Sequence, residues 1–282
     1  HNQKCQIHWW LSLSFYVKSF RTPWILANSD NTTAFAGLGY SVDSKVDSNG
    51  HIVLGCSHIY SSSGEGLKFK LARISNDKIQ WRHRKPHLCY DDAYEFGKNI
   101  IELFYESMNE LPKRVVIHKR TYFTEEEKQG IIDSISDNNK IESIDLIEIN
   151  FEDNIKYTSS KIVEGKACVD GFSVSRGSCI LLNSKEALLW AHGVVPSVRN
   201  PNFSFYPGGR YIPKPLRIIK HYGVGSLEQI ANEILGLTKM NWNSLNMYSQ
   251  LPATICSSND IARIGKLIDS NSKHEYDYRY FI

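Results

Sequence analysis

The order of strand-like and helix-like runs constrains this chain more than any other feature of its sequence. The strand-like runs are rich in branched and aromatic residues and bounded by turn-forming residues, and they span 33–42, 51–60, 67–74, 114–119 and 143–150. Only short turn-like segments separate the first three runs, which predicts two antiparallel connections. A helix is predicted over 91–110 from the spacing of its apolar residues, and a second from Thr124, where Glu127 completes a capping box.

The predicted order is therefore three strands followed by helix, strand, helix and strand. This is the layout of a ribonuclease H-like α/β fold, in which helices flank a mixed central sheet. In the second half, 178–184 and 187–193 are predicted strands, 226–237 and 258–269 are predicted helices, and the proline-rich segment 194–215 is a predicted ordered loop. The length of 282 residues fits one large domain or two modest ones.

Two small residues interrupt the first predicted strand. Gly37 and Gly39 alternate with Leu38 and Tyr40 in a run that branched residues would normally fill. Glycine weakens a strand interior, so such a pair indicates a bulge, a closely packed position, or a lost side chain.

Charge and cysteine content add weaker signals. The net charge is +3, but segments 81–87 and 210–221 are wholly basic, which suits either a phosphate backbone or a solvated face. Within the first segment and just after it, His83, His87 and Cys89 match no strong zinc spacing, so a basic loop is favoured over a metal site. The six cysteines include no CxxC pair and indicate reduced thiols of a cytoplasmic protein. No apolar run reaches the roughly 20 residues of a membrane span.

Several motifs together resemble the PIWI domain of Argonaute proteins, especially the short prokaryotic ones. The stretch 12-SLSFYVKSFRTPWIL-26 is similar to the run before the family's first strand, although Phe20 and Arg21 stand where two glycines are usual. The stretch 222–255, which contains "LTKMNWN" and "LPATI", is similar to the family's run from helix to last motif. The resemblance implies a lead-in segment over 1–30 from a preceding MID-like region, and a PIWI domain over 31–282.

The resemblance also implies what is missing. Active members cut a target strand with acidic residues that hold two metal ions. Here Gly39 stands at the first acidic position, Arg120 or Thr121 at the second, and Asn259 at the last, so metal-dependent cleavage is not expected. The alternative is an active nuclease whose acids lie elsewhere, for which the chain offers Asp43, Asp47, Asp91 and Asp92. Glu125 to Glu127 are interpreted as the start of a helix.

A PIWI domain without acids retains the binding of a guide strand and its target. The resemblance assigns Arg263 and Lys266 to the guide 5′ end, and the terminal carboxylate of Ile282 to a Mg²⁺ ion that bridges to the 5′-phosphate. The candidates for backbone contacts share a basic or polar side chain near the expected groove: Lys214, Arg217, Lys220, His118, Lys119, Arg120, Asn243 and Ser244.

The expected partners also follow from the resemblance. Inactive short Argonautes bind guide RNA and a single-stranded DNA target, and pair with an APAZ-containing protein that carries a TIR, sirtuin-like or nuclease effector. The chain is therefore expected to act as the sensor of such an assembly in defence against plasmids or phage. A structural or interaction module unrelated to nucleic acid stays open as an alternative.

Overall fold

The computed structural model describes 2–27, 32–42, 51–61, 66, 68–75, 79–82, 85–158, 160–169, 174–195, 212–242, 248–265, 275–277 and 279. The helices are α1 (Asn2–Lys18), α2 (Tyr90–Met108), α3 (Glu125–Ser136), α4 (Leu227–Leu237) and α5 (Ala253–Gly265). The strands of the first half are β1 (Thr33–Val42), β2 (His51–Tyr60), β3 (Lys68–Ser75), β4 (Gln80–Arg82), β5 (Lys85–His87), β6 (Arg114–Lys119) and β7 (Ser143–Phe151). They are followed by β8 (Ser160–Val163), β9 (Lys166–Val169), β10 (Cys179–Leu181), β11 (Glu186–Leu189), β12 (Leu216–Tyr222) and β13 (Glu275–Asp277).

Nine of these described strands form one mixed sheet in the order β10-β11-β12-β7-β6-β1-β2-β3-β13. The central strands β1, β6 and β7 run parallel to one another, and β1, β2 and β3 form an antiparallel meander. Two small hairpins, β4–β5 and β8–β9, stand outside the sheet. Because the parallel strands have their carboxyl ends at one edge, the ends of β1 and β6 lie side by side, with Leu38 opposite Lys119.

Helices cover both faces of the sheet. On one face α2 and α3 pack against Ala34, Ala36 and Leu38 of β1, and Phe96 and Ile131 are buried between them. On the other face α1, α4 and α5 pack in a second core that includes Phe35, Val116, Ile147, Ile234 and Trp242. Alternate residues of β1 and β6 therefore enter opposite cores, as the two-residue period of a strand requires.

The fold class is confirmed, and so is the predicted order of three strands followed by helix, strand, helix and strand, into which only the short hairpin β4–β5 is inserted. All five predicted strands form within a residue or two of the expected bounds, and the connections among the first three are antiparallel. The Thr124 hydroxyl accepts from the Glu127 backbone N–H while the Glu127 carboxylate accepts from the Thr124 N–H, so the capping box is complete.

The errors lie mainly in the second half and at the start of the chain. Residues 216–222, most of which belong to the basic segment 210–221 and for which no strand was predicted, form the strand β12 between β7 and β11. Leu216 and Ile218 supply its buried face, which the basic residues conceal in the sequence. The helix predicted from 258 begins at Ala253 instead, directly after Pro252, a residue that suits a helix start. The helix α1 was not predicted. Its Leu13 and Val17 are buried in the second core.

Candidate nucleic-acid interface

The glycines of β1 make room for the backbone of α5. A Cβ built on Gly39 would lie 2.6 Å from the carbonyl carbon of Ser258 and 2.8 Å from the backbone nitrogen of Asn259. A Cβ built on Gly37 would collide with the carbonyl oxygen of Thr254. The strand and the helix therefore touch through main-chain atoms, and any side chain at position 39, an aspartate included, requires α5 to move away.

The next residues of this face come from β6. His118 pairs with Gly37 in the strand register, and its Nδ1 lies 2.8 Å from the Thr254 hydroxyl of α5. The ring is fully buried, and burial, with a smaller contribution from the charge of Arg114, lowers the pKa of His118 to about 3. The imidazole is therefore neutral at pH 7 and acts as a hydrogen-bonding group rather than a cation.

At the end of β6 and just after it, three buried polar atoms lack a hydrogen-bond partner in the described part of the chain. The buried Nε2 of His118, Nε of Arg120 and Oγ1 of Thr121 have no hydrogen-bond partner among the described residues. The guanidinium carbon of Arg120 lies 5.4 Å from the centre of the Phe151 ring. Buried polar groups in proteins are nearly always satisfied, so the end of β6 has the hydrogen-bonding capacity for water or a polar ligand.

The residues of α5 that follow its contact with Gly39 include two charged side chains, Asp260 and Arg263. Asn259 stands beside Gly39, and the adjacent Asp260 is exposed and accepts from the Arg263 guanidinium at 3.1 Å. Cys256 lies one turn earlier, where burial and the charge of Asp260 raise the pKa of its thiol to about 11. Asp260 is thus the acid that follows the expected last catalytic position, and it neutralises a residue assigned to the guide end.

Lys119 is placed differently from the prediction. Its side chain enters the α2–α3 face of the sheet and is buried, with its Nζ 2.5 Å from Glu127 Oε1 and 3.3 Å from His87 Nδ1. The assignment of Lys119 to a nucleic-acid backbone is therefore wrong, because its ammonium group is buried and paired with the Glu127 carboxylate. His118 is likewise enclosed and is not a surface contact.

Glu127 is the centre of this second cluster. Its carboxylate also accepts from the Leu88 N–H at 2.8 Å, the Thr124 N–H at 2.9 Å and the Tyr40 hydroxyl at 3.2 Å. Burial alone would raise the pKa of Glu127, but the hydrogen bond with His87 and the charge of Lys119 outweigh it and lower the pKa to about 2. The sequence revealed Glu127 as a helix cap and gave no sign of its other partners.

The structure separates the basic residues that were predicted to act together on 214–220. Lys214 is exposed and pairs with Asp153 at 2.6 Å, and Arg217 lies between Glu152 at 3.3 Å and Glu186 at 2.8 Å. Lys220 instead donates to the Gly225 carbonyl at 2.8 Å and lines a cavity of about 460 Å³ beside Glu142, Ser143 and Gly223. Each of these cations already has a partner within the protein.

Some predicted residues lie outside the described part of the chain: Lys266, Ile282, Asn243 and Ser244, and among the alternative acids Asp43 and Asp47. Asp91 and Asp92 occupy the first turn of α2, where Asp92 accepts from the Cys89 thiol at 3.2 Å. The described residues contain no group of three or more His, Cys, Asp or Glu side chains arranged to hold a metal ion. None of the described helices is both long and apolar enough to cross a membrane.

Solved structures with a similar fold include Argonaute proteins. A crystal structure of A. aeolicus Argonaute matches with a TM-score of 0.63 and 19% sequence identity, over 95% of this chain and 34% of that one. Clostridium butyricum Argonaute bound to a guide DNA and a 19-mer target DNA matches with a TM-score of 0.64 and 18% identity, over 96% of this chain and 32% of that one.

The likeness extends to the fold, and the chain spans about a third of the length of these Argonautes. No protein-family model and no curated protein sequence matches the chain. The mixed sheet with helices on both faces is accordingly the PIWI-like, ribonuclease H-like fold that the sequence predicted.

Proposed function

We propose that this chain is a catalytically inactive PIWI module that binds a 5′-phosphorylated guide, expected to be RNA, and its complementary single-stranded DNA target. The observation that carries the proposal is the contact between β1 and α5. Gly39 stands where the resemblance expects the first metal-binding aspartate, and the backbone of Ser258 and Asn259 fills the space that its side chain would need. Two-metal cleavage requires carboxylates that bring the ions together, and this position supplies none.

The proposed binding role agrees with what lies at the same edge of the sheet. Arg120 and Thr121 retain polar atoms that no described residue of the chain satisfies, and such groups suit phosphate oxygens. Base pairing between guide and target would read the sequence, so the protein needs only contacts to the backbones, which carry no base identity. The solved Clostridium butyricum Argonaute, with its guide and target DNA, has the same fold.

The guide 5′ end is assigned, by resemblance, to Arg263, Lys266 and the carboxylate of Ile282, with Mg²⁺ bridging that carboxylate to the phosphate. Of these, only Arg263 belongs to the described residues, and it is exposed on α5 beside Asp260. A phosphate arriving there would compete with Asp260 for the guanidinium, because both ligands are anions that Arg binds through parallel N–H donors.

The proposal includes a partner. Without chemistry of its own, the chain would act as the sensor for an APAZ-containing protein that carries a TIR, sirtuin-like or nuclease effector, in prokaryotic defence against plasmids or phage. Binding of the target can switch that effector only if the duplex contacts the active arrangement of the complex better than the inactive one.

The test is a co-purification followed by two activity measurements. The chain is expressed with the protein encoded next to it, and the bound nucleic acid is extracted, labelled at its 5′ end and sequenced. The complex is then incubated with matched or mismatched single-stranded DNA, Mg²⁺ and NAD⁺. We expect short 5′-phosphorylated RNAs, an intact target and effector activity that depends on the match.

Two results would overturn the proposal. Cleavage of the matched target by this chain, with an inactivated partner, would establish an active nuclease with relocated acids. Absence of any salt-sensitive binding to guide-length oligonucleotides would favour an interaction module unrelated to nucleic acid.

A further inference from the structure

The carboxyl ends of β1 and β6 meet α5 at the place where the resemblance expects metal-binding acids. In the parallel register Leu38 lies opposite Lys119, so the next residues of the two strands are Gly39 and Arg120. The backbone of α5 closes this place beside Gly39. The side chains around this position decide which ligand it can hold.

These side chains do not fit a pair of magnesium ions. Mg²⁺ takes oxygen ligands and is usually held by carboxylates. Gly39 has no side chain to offer, and Asp260 of α5 already accepts from Arg263 at 3.1 Å. The Nε2 of His118 has no hydrogen-bond partner among the described residues, but it is a ring nitrogen on a fully buried side chain and a poor ligand for this ion. The two-metal chemistry of the fold therefore has no ligand set in the described part of the chain.

The carboxylates at the neighbouring end of β7 are also engaged. Glu148 accepts from the Asn150 amide at 2.6 Å and lies 2.8 Å from His221 Nε2. Glu152 pairs with Arg217 at 3.3 Å. Neither acid is therefore available to the cation at the end of β6.

Arg120 is that cation, and it has no acidic partner. It forms no ion pair with any described residue, and its buried Nε has no hydrogen-bond partner among them. Its charge acts on α5, because burial and the charge of Asp260 raise the pKa of the Cys256 thiol to about 11 and the charge of Arg120 opposes that rise. Two guanidinium groups, of Arg120 and Arg263, therefore stand against one carboxylate in this region. The excess positive charge repels a divalent cation and attracts an anion.

The guanidinium of Arg120 is also held in position. Its carbon lies 5.4 Å from the centre of the Phe151 ring, within the range of a cation–π interaction. Arg120 and Thr121 are both half-buried, and the buried Oγ1 of Thr121 has no hydrogen-bond partner among the described residues. Unsatisfied buried donors cost free energy, which a ligand that accepts from them restores. A stacked guanidinium and an adjacent hydroxyl are donors that suit an oxyanion.

We infer that the end of β6 binds a backbone phosphate of the nucleic acid directly, through the Arg120 guanidinium and the Thr121 hydroxyl, without a divalent metal ion. This inference rests on the proposed function and specifies the chemistry of one of its contacts. A phosphodiester is favoured because its two non-bridging oxygens can accept parallel N–H donors from one guanidinium. A carboxylate on a partner protein is the competing ligand, and the experiment separates the two.

The first experiment removes the charge of one phosphate at a time. The complex of the full chain with its co-expressed partner is loaded with a guide and titrated with matched DNA, and one strand carries a single methylphosphonate at a chosen position. Fluorescence anisotropy gives the dissociation constant for each position. We expect a loss of about tenfold at one position, where a charge-assisted hydrogen bond disappears. In Arg120→Gln the unmodified strands should bind about tenfold more weakly, and the methylphosphonate at that position should cause no further loss.

Two variants serve as controls for Arg120→Gln. Lys98→Gln removes an exposed charge from α2, on the other face of the sheet, and should leave every position of the scan unchanged. Arg120→Lys keeps the charge but not the planar fork, so it should recover part of the lost affinity.

The second experiment repeats the scan in Mg²⁺ and in EDTA. The quantity compared is the ratio of the affinities for the modified and unmodified strands, so that an effect of Mg²⁺ on the guide 5′ end cancels. We expect the ratio at the position coupled to Arg120 to agree within about twofold in the two buffers, because the protein supplies the positive charge. A phosphate held by metal ions would lose most of this ratio in EDTA.

The outcomes separate this inference from the proposed function. A parent complex that binds its matched target but shows no position coupled to Arg120, or a coupled position that depends on Mg²⁺, overturns the inference and leaves the guide-binding function standing. Dissociation of the partner protein from Arg120→Gln, with unchanged affinity for the target, overturns it in favour of a protein carboxylate. A parent complex that binds no matched oligonucleotide overturns both proposals together.

Discussion

His118 and Lys119 are neighbours in β6, yet their side chains enter opposite faces of the sheet and meet opposite surroundings. His118 faces α5, where the contacts are glycine against backbone and one neutral hydrogen bond to Thr254. Lys119 faces α3, where its ammonium meets the carboxylate of Glu127. The α5 face thus has close packing and few partners, and the α3 face has charge and many partners.

The difference concerns Glu127, which together with Asp145 is fully buried among the described carboxylates. Glu127 lies on the side of the sheet opposite to Gly39, where the resemblance expects the first acid, and it is bound to Lys119, His87 and three further donors. A carboxylate with so many donors is stabilised in its ionised form but has little capacity left for a metal ion. The α3 cluster therefore supports the fold rather than a reaction.

The largest expected effect comes from breaking the ion pair of the α3 face. Glu127→Gln keeps the shape of the helix cap but leaves Lys119 buried without a counter-charge, so the free energy of unfolding should fall by about 3–5 kcal/mol. Urea denaturation measures the loss. The control is Lys119→Met/Glu127→Gln, in which no unpaired charge remains, and it should recover much of the stability. Lys119→Met alone completes the comparison. If the double variant loses as much stability as Glu127→Gln and Lys119→Met lose together, the two side chains are not coupled.

The next effect probes the close packing of the α5 face. Gly37→Ala places a methyl group against the Thr254 carbonyl oxygen and forces α5 outward, which should cost about 3 kcal/mol. Gly236→Ala in α4 is the matched control, since its added Cβ meets only the Leu26 side chain, at 3.2 Å. It should change stability by less than about 1 kcal/mol, with helix propensity in its favour. Equal losses in the two variants would contradict the backbone contact described for β1 and α5.

The third effect distinguishes the two faces by pH. In the unfolded chain His118 binds a proton below about pH 6.5, but in the folded protein its pKa is about 3, so stability falls as the pH drops from 6.5 towards 3. The carboxylate of Glu127 has a folded pKa of about 2 against an ordinary 4.5, so its contribution is complete above pH 4.5 and is lost between 4.5 and 2. The interval from 6.5 to 4.5 therefore reports on His118 and not on Glu127.

Denaturation of His118→Asn over this interval measures the difference. The parent should lose up to about 1.4 kcal/mol per pH unit more than the variant. His192→Asn is the control, because burial also lowers the pKa of His192 but its ring is only partly buried, so a smaller change is expected. Identical pH profiles for parent and His118→Asn would mean that His118 accepts a proton in the folded state.

The sequence predicted the parts of both faces that depend on local pattern. The strand β6 followed from its branched residues, and the start of α3 followed from the Thr124–Glu127 capping box, because caps and strands are fixed by neighbours in the chain. The resemblance also predicted that position 39 carries no acid. The contact of Gly39 with the backbone of α5 could not be predicted, because α5 lies more than 200 residues further along the chain.

Burial was the other property that local pattern did not reveal. Lys119 was interpreted as a surface cation. The six residues of β6 end in this lysine, and nothing in their pattern indicates that Glu127 of the next helix pairs with it. The strand β12 was missed for the related reason that Arg217 and Lys220 interrupt its apolar residues. Both cations are held by partners that the fold brings in, Arg217 by Glu186 and Lys220 by the Gly225 carbonyl.

The smallest expected effects come from removing single hydrogen bonds. The bond from Tyr40 ends on a carboxylate that has other donors, whereas the hydroxyl of Thr254 is the partner of the buried His118 Nδ1. Tyr40→Phe removes the hydroxyl that donates to Glu127, but the carboxylate keeps its other donors, so a loss of only about 0.5–1 kcal/mol is expected. Thr254→Val removes the partner of His118 Nδ1 and leaves a buried ring nitrogen unsatisfied, which should cost about 1–3 kcal/mol. Thermal and urea unfolding of both variants gives the ranking. A larger loss for Tyr40→Phe would mean that the donors around Glu127 act as one unit, because removing a single hydroxyl would then disturb the ion pair with Lys119.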